Sequence, residues 1–173
     1  LILMIRAYYP VLYLHSYEYY RTKQKIKGIV ELLRREGKKV NYYQWDCVYG
    51  LVEILPDKTE KRIERMQNPL EVLAYILNSK KSGEKNVFVL EDINNHIDRD
   101  EVKLMFRKIA EATNNNTHAI ILSSSYKLPI ELEKYITVLQ IPLPKRNELG
   151  EVLDIVAKQS KVELKTNLRN RLI

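Results

Sequence analysis

Cysteine is the scarcest chemistry in this chain of 173 residues. Cys47 stands alone, which excludes an intramolecular disulfide framework and a CxxC metal knuckle and points to a reducing compartment. Glycine is nearly as rare, with five residues, and no GxxxxGKS/T pattern occurs, so the backbone cradle of an ordinary phosphate-binding loop is missing. Long apolar runs are lacking too. Arg6 and His15 interrupt the N-terminal stretch well short of the ~20 residues a membrane span requires. Residues 1–16 offer neither the basic start nor the small-residue cleavage site of a signal peptide. A cytoplasmic protein with no membrane partner is therefore expected. The chain opens on Leu1 rather than methionine, which suggests a piece of a longer protein.

What is present suits a globular domain with one ordinary core: 45% hydrophobic residues, 29% charged, and a mean hydropathy of -0.35. The formal net charge of +7 suggests a nucleic-acid partner until it is divided along the chain. Residues 1–50 hold nine Lys/Arg against four Asp/Glu, whereas 51–85 hold seven against six and 86–173 thirteen against twelve. Within the basic third, Lys23, Lys27, Arg34 and Lys38 recur at helical spacing opposite Ile26, Ile29, Val30 and Leu33. That is the pattern of an amphipathic helix with one basic face. A solvated face and a docking face for an anionic partner both fit it.

Pro10 to His15 reads as a buried strand, and Ser16 as the N-cap of a helix that runs to about Glu36 and stops at Gly37. Val40 to Trp45 alternates as a second strand, while Pro56 to Gln67 is polar enough for a loop or an exposed helix. Asn68 caps a helix with Pro69 at its first position, stopped by Lys80-Lys81-Ser82-Gly83. Val87 to Leu90 is a continuous apolar strand, and Asp98 caps a helix through Val102, Met105, Phe106 and Ile109. Ala119 to Leu122 and Ile136 to Ile141 supply two more strands before a helix over Glu148 to Lys158. Five short apolar strands separated mostly by helices predict a three-layered α/β fold with a parallel sheet. Ligands of such sheets bind beyond the carboxyl ends of the strands. Those ends are His15-Ser16-Tyr17, Trp45-Asp46, Glu91-Asp92 and Ser123-Ser124-Ser125.

The segment Val87 to Asp92 has the form of a Walker B strand, which delivers one acid to Mg²⁺ beside another that polarises water. Acids at strand ends also serve as helix caps and plain surface residues. The turn after the first strand would have to hold phosphate through Ser16, Arg21, Thr22 and Lys23, and Glu18 in that turn would repel it. His15, His96 and His118 lie on separate segments without metal-ligand spacing. Cys47 has no histidine partner in the sequence and reads as a buried thiol rather than a nucleophile. Ser123 to Ser125 lack a GxSxG elbow.

Taken in order, Tyr9-Pro10, Glu18, Arg21, Trp45, Gly50-Leu51, Asn68-Pro69-Leu70, Val87 to Asp92, Arg107, Leu128 to Glu133, Ile141-Pro-Leu-Pro144 and Glu148-Leu149 resemble a family. It is that of the hypothetical chloroplast-frame AAA proteins of cyanobacteria, algal plastids and other bacteria, whose chains pair two AAA+-type domains. The chain is similar to their N-terminal, degenerate domain over nearly its whole length. The resemblance implies a RecA-like AAA+ core over residues 1–144, with the first and last strands as neighbours, and the start of a truncated helical lid over 145–173. It implies that Glu91 and Asp92 take the Walker B place, Asp92 being a relic of a Mg-binding acid, and that Ser123, Ser124 and Ser125 lie in the sensor-1 region. No position takes the Walker A lysine, and the arginine-finger segment of active domains is absent, the chain reading Tyr126-Lys-Leu-Pro-Ile-Glu131 after the serines. Arg21, Lys23 and Arg107 are left for an interface in trans or for salt bridges.

The expected function is therefore a non-hydrolysing AAA+-like assembly or partner-binding module. No cofactor is expected here, ATP and Mg belonging to the missing second domain. The expected partners are the C-terminal AAA+ domain of the same protein and further copies in a homo-oligomer; the plastid stroma is the alternative location. One competing reading is an unconventional ATP-binding domain that uses Arg21 or Lys23. Another is a nucleic-acid module built on helix 18–38, with Tyr17, Tyr19, Tyr20 and Tyr42 as stacking surfaces; nucleic acid is the less expected partner.

Overall fold

The computed structural model describes residues 1–63, 66–79, 84–112, 116–144 and 146–160. Its contacts divide the chain into two compact units, Leu1–Ile141 and Pro142–Ile173. In the second, helix α5 spans Arg146–Gln159. Among the described residues no helix is long and apolar enough to cross a membrane.

The first unit is built on a seven-stranded sheet. Its parallel strands are β1 (Val11–His15), β2 (Val40–Asp46), β5 (Lys85–Glu91), β6 (Thr117–Ser123) and β7 (Thr137–Gln140), and two antiparallel strands, β3 (Gly50–Ile54) and β4 (Glu60–Arg62), extend one edge. The order is β4-β3-β2-β5-β6-β1-β7. First and last parallel strands are neighbours, from Leu12 beside Thr137 to His15 beside Gln140. The α/β class holds, but the strand count is seven rather than five. Of the two added strands, β3 is apolar at Leu51, Val52 and Ile54 and is missing from the expected set, whereas β4 is polar. β4 is Glu-Lys-Arg and exposed throughout, so Pro56–Gln67 is neither a plain loop nor an exposed helix but contains an edge strand.

β1, β5 and β6 are buried on both faces, which is why they read as unbroken apolar runs. On one face, helix α2 (Tyr19–Arg35) buries Ile26, Val30 and Leu33 against Leu12, Leu14, Val89 and Ile120, and helix α1 (Ile2–Arg6) adds Ile5. On the other face, α3 (Pro69–Ser79) and α4 (Asp100–Glu111) bury Val72, Leu73, Ile76, Val102, Phe106 and Ile109 against Tyr13, Trp45, Phe88 and Ile121. Burying one such side chain contributes about 1.5–3 kcal/mol.

Local signals explain most boundaries. Asn68 Oδ1 accepts from the N–H of Leu70 at 2.9 Å, which seats Pro69 as the first residue of α3. The expected stop at residues 80–83 lies outside the described residues. Gly37 ends the α2 segment at φ +80°, its N–H reaching Arg34 O at 3.0 Å while Lys38 N–H reaches Leu33 O at 3.2 Å. Two expected caps are displaced. α2 starts after Glu18, because Ser16 Oγ is engaged by the Glu18 N–H and Thr22 Oγ1, and α4 starts after Arg99, because Asp98 pairs with Lys127 instead.

In the β2–β3 turn, Asp46 Oδ1 accepts from the N–H groups of Val48 and Tyr49 at 2.8 and 2.7 Å. Cys47 sits in this turn and is exposed, not buried as expected. Gly50 follows at φ +76°, where an added Cβ would lie 3.2 Å from the backbone of Met66, the residue whose carbonyl accepts from Trp45 Nε1 at 2.5 Å. Gly50→Ala therefore combines left-handed strain with a backbone clash. A loss of about 1–2 kcal/mol in urea unfolding is expected, and an unchanged midpoint would refute this account.

Tyr42 and Tyr43 are buried in opposite cores, Tyr43 stacking on Phe88 with ring centroids 4.4 Å apart, and burial pushes both hydroxyls well above the ordinary value of 10.0. In the unfolded chain these phenols lose their protons near pH 10, whereas the folded chain retains them. The unfolded state then binds fewer protons, so stability falls as pH rises beyond 10. Tyr43→Phe is expected to flatten that decline measurably in melting curves taken between pH 9 and 11.5.

Candidate functional site

The carboxyl ends of β1, β5 and β6 meet the start of α2, and their polar groups hydrogen-bond one another. Asp92 follows β5 in a left-handed conformation at φ 53°, which a short polar side chain tolerates better than most. Its Oδ1 accepts from Tyr19 OH at 2.6 Å and from Ser123 Oγ at 2.8 Å. Tyr19 OH in turn accepts from the N–H of Ser124 at 3.0 Å, and Ser123 Oγ from the N–H of Ser125 at 3.2 Å. Glu91 pairs with Lys23 of α2 at 2.8 Å, both side chains about one-quarter or less exposed.

The turn from β1 to α2 is closed in the same way. Ser16 Oγ and Thr22 Oγ1, both nearly fully buried, lie 2.8 Å apart. Arg21 Nη2 pairs with Glu18 at 2.5 Å along its own helix. Counted from His15, Arg21 and Thr22 fall in the last two places of an eight-residue frame that in a phosphate-binding loop ends in Lys-Ser/Thr. No glycine occupies that frame, and the hydroxyl is turned inward to Ser16.

Beneath the serines, Tyr13 OH donates to Ser125 O at 2.5 Å and accepts from the N–H of Lys127 at 3.3 Å, while Asn94 Nδ2 donates to the same carbonyl at 2.9 Å. Burial, its largest influence, pushes the Tyr13 hydroxyl above its ordinary value, so it remains a donor at neutral pH. His15 Nε2 donates to Ser124 O at 3.0 Å, and its ring lies 5.4 Å from that of Tyr17 and 6.3 Å from that of Tyr126.

Sequence reasoning placed Glu91, Asp92, Ser123, Ser124, Ser125, Ser16, Arg21, Thr22 and Lys23 at this end of the sheet, and the fold brings them together. It missed Tyr13, Tyr19 as a bridging hydroxyl, and Asn94. The direction of a phenol hydroxyl leaves no periodic trace in a sequence. Trp45 is buried in the core instead, and Asp46 is engaged in its own turn. The residues do not suit phosphate and Mg²⁺. One oxygen of each acid is engaged, Glu91 by Lys23 and Asp92 by Tyr19 and Ser123, and the turn from His15 to Thr22 lacks glycine.

The expected basic face is dispersed. Lys23 is paired with Glu91, and Arg34 donates to the carbonyls of Val40 and Ile54 at 2.9 and 3.4 Å. Tyr42 is buried, so it is no stacking surface, and Tyr19 is engaged with Asp92. Tyr17 and Tyr20 are exposed. Beside the strand ends, between α2 and the β3–β4 hairpin, lies a recess of about 460 Å³ lined by Lys23, Gln44, Asp46, Glu60, Arg62 and Glu91 among others. A narrower recess of about 190 Å³ shares Lys23, Gln44, Ile54 and Glu60 with it and adds Lys27 and Lys58.

Comparison with known proteins gives one consistent direction. The chain is similar to uncharacterized AAA domain-containing proteins named ycf46. It is 28% identical to that of Guillardia theta over 153 residues, covering 87% of this chain and 28% of the relative. It is 25% identical to that of Pyropia yezoensis over 171 residues, covering 98% and 33%. The chain thus spans about a third of these relatives' length. Among solved structures, one of an E. coli HORMA:CdnC:Trip13 complex matches 95% of this chain and 55% of its own at a TM-score of 0.63 and 12% identity. The Aeropyrum pernix ORC2 protein matches 91% and 49% at a TM-score of 0.53 and 12% identity. At such identities these two show the fold alone. Residues 1–141 match the family described as SpoVK-like AAA ATPase, N-terminal domain, and over that span, with β1 and β7 adjacent and an acid-ended β5 at the sheet's centre, the chain belongs to it.

Proposed function

We propose that this domain is a non-hydrolysing AAA+-like module for assembly or partner binding, working beside a catalytic AAA+ ATPase domain in a longer protein. One observation carries the reading: each acid at the end of β5 has one oxygen engaged within the same chain, Asp92 Oδ1 by Tyr19 and Ser123 and Glu91 Oε1 by Lys23. Phosphoryl transfer depends on positioning and on charge stabilisation at the phosphates. Here the groups that would supply both are tied to one another. On this reading the residues after Ile141 begin a helical lid, and the nucleotide and its metal belong to the partner domain.

The alternative is an unconventional ATP-binding domain, favoured by the place of Arg21-Thr22 at the end of the eight-residue frame. Binding would require the Ser16–Thr22 hydrogen bond and the Arg21–Glu18 pair to open.

Two measurements separate these readings. A ligand that binds only the folded state raises its melting temperature, by about 2.7 kcal/mol of added stability at one hundred times Kd. Millimolar ATP with Mg²⁺ is expected to leave the melting temperature of this chain unchanged, and a saturable rise would favour the alternative. Asp92→Ala is expected to cost about 1 kcal/mol of stability, because an exposed carboxylate loses two hydrogen bonds and the left-handed backbone loses a residue that tolerates it. Asp92→Asn should recover part of that loss. Mg²⁺-dependent ATP turnover that Asp92→Ala abolishes without altering stability would overturn the structural role.

A further inference from the structure

We infer that the groove between α2 and the β3–β4 hairpin docks an extended polypeptide segment that carries a carboxylate at one end and a cationic side chain farther along. The inference deepens the partner-binding reading and rests on it. The groove arises from the topology. The β3–β4 hairpin carries the sheet beyond β2; Ile54 of β3 is still buried in the core that α2 covers, and the channel opens at that margin, with Gln44 and Ile54 lining both recesses and Val52 the wider one.

One wall is a stripe of α2 made of Tyr20, Lys23, Gln24 and Lys27, the i, i+3, i+4 and i+7 positions of one helix face. At 1.5 Å per residue this stripe runs about 10 Å, the reach of three extended residues. The other wall is the hairpin, with Lys58, Glu60 and Arg62.

The charges are unevenly divided along the channel. Lys27 and Lys58 face the narrow end, and among the described residues neither has an ion pair. Asp46, Glu91 and Arg62 line the wide end alone, while Lys23 and Glu60 line both; Asp46 gives one oxygen to turn N–H groups and Glu91 is paired with Lys23, whereas the Glu60 carboxylate has no partner among the described residues. Arg62 lies over the ring of Tyr49 at 5.9 Å. Three lysines against Glu60 leave the narrow end an excess of positive charge that attracts an anion, and three carboxylates against Lys23 and Arg62 leave the wide end a smaller negative excess that attracts a cation. A nucleic acid or polyphosphate would set successive negative charges against three carboxylates. A dipolar peptide matches both ends, and Tyr20 and Tyr49, exposed at 76% and 61%, offer it flat apolar contacts.

The test is fluorescence anisotropy on the purified chain with two labelled probes. One is a dodecapeptide with lysines in its first half and glutamates at its C-terminal end; the other is a single-stranded RNA dodecamer. Saturable peptide binding that weakens with salt is expected, with affinity falling about tenfold in the double variant Lys27→Glu, Lys58→Glu. Arg107→Glu, on α4 across the sheet, should leave it unchanged. If the double reversal does not fold, the single variants Lys27→Ala and Lys58→Ala carry the test, each expected to weaken binding by a smaller factor. No saturable binding at millimolar peptide, an affinity indifferent to these lysines, or tighter binding of RNA than of peptide would overturn the inference. A melting-temperature rise with ATP and Mg²⁺ in the same samples would count against the non-hydrolysing reading alone, whereas loss of peptide binding without such a rise would remove only the groove.

Discussion

The hydroxyl of Tyr19 is the point through which the strand ends of this domain are joined. It donates to Asp92 after β5 and accepts from the backbone of Ser124 after β6, while its own backbone opens α2, the helix that follows β1. Three segments distant in sequence meet at one oxygen. Parallel strands buried on both faces leave their polar groups only at their ends, and those groups must be satisfied by something. In a nucleotide-binding domain a ligand can do part of that work. Here Tyr19, Ser123, Lys23 and Tyr13 do most of it, while the buried Asn94 Oδ1 is left without a hydrogen bond.

This closure has a backbone counterpart. A phosphate cradle needs glycines because successive N–H groups must point at one anion from conformations that side chains resist. The stretch His15 to Thr22 has no glycine and three tyrosines. It forms a turn stabilised by side chains instead, with Ser16 bonded to Thr22 and to the Glu18 N–H. The change in composition and the change in geometry are one event, seen at two levels.

How much of this was legible follows from the physics of each element. Strands β1, β5 and β6 announced themselves because burial on both faces demands continuous apolar residues, as in Val87 to Leu90 and Ala119 to Leu122, and β2 did so by its alternation. Asn68-Pro69 and Gly37 marked helix ends because cap geometry restricts residue type. Strand β4 was not visible, since an exposed edge strand such as Glu60–Arg62 is stabilised by backbone pairing that any polar sequence can provide, whereas β3 carries an apolar signal at Leu51, Val52 and Ile54 that the five expected strands leave out. Ser16 and Asp98 looked like caps because their type permits capping, but Ser16 is engaged ahead of the helix, by the Glu18 N–H and Thr22, and Asp98 found a distant partner in Lys127 that local sequence does not encode. Cys47 was misplaced for a related reason. The turn that exposes it is set by the Asp46 carboxylate and by Gly50 at positive φ, neither of which bears on the thiol itself. Of the site, the residues were legible and their state was not. Sequence located acids and serines at the right end of the sheet, whereas their engagement by Tyr19 and Lys23 depends on the rotation of α2.

The Lys23–Glu91 pair links the closed strand ends to the open groove, because Lys23 lines both recesses while Glu91 adjoins Asp92. A partly exposed pair of this kind is worth about 1 kcal/mol or less, so an incoming carboxylate competes with Glu91 for Lys23 on nearly even terms. Removing Lys23 from Glu91 would leave that carboxylate beside Asp92 with its counter-charge reduced. The hydrogen bonds from Tyr19 and Ser123 would then carry the strand ends alone. Those bonds depend on where α2 begins, and Lys23 belongs to the same helix. Occupation of the groove and the order of the strand ends are thus joined by one short stretch of α2, from Tyr19 to Lys27.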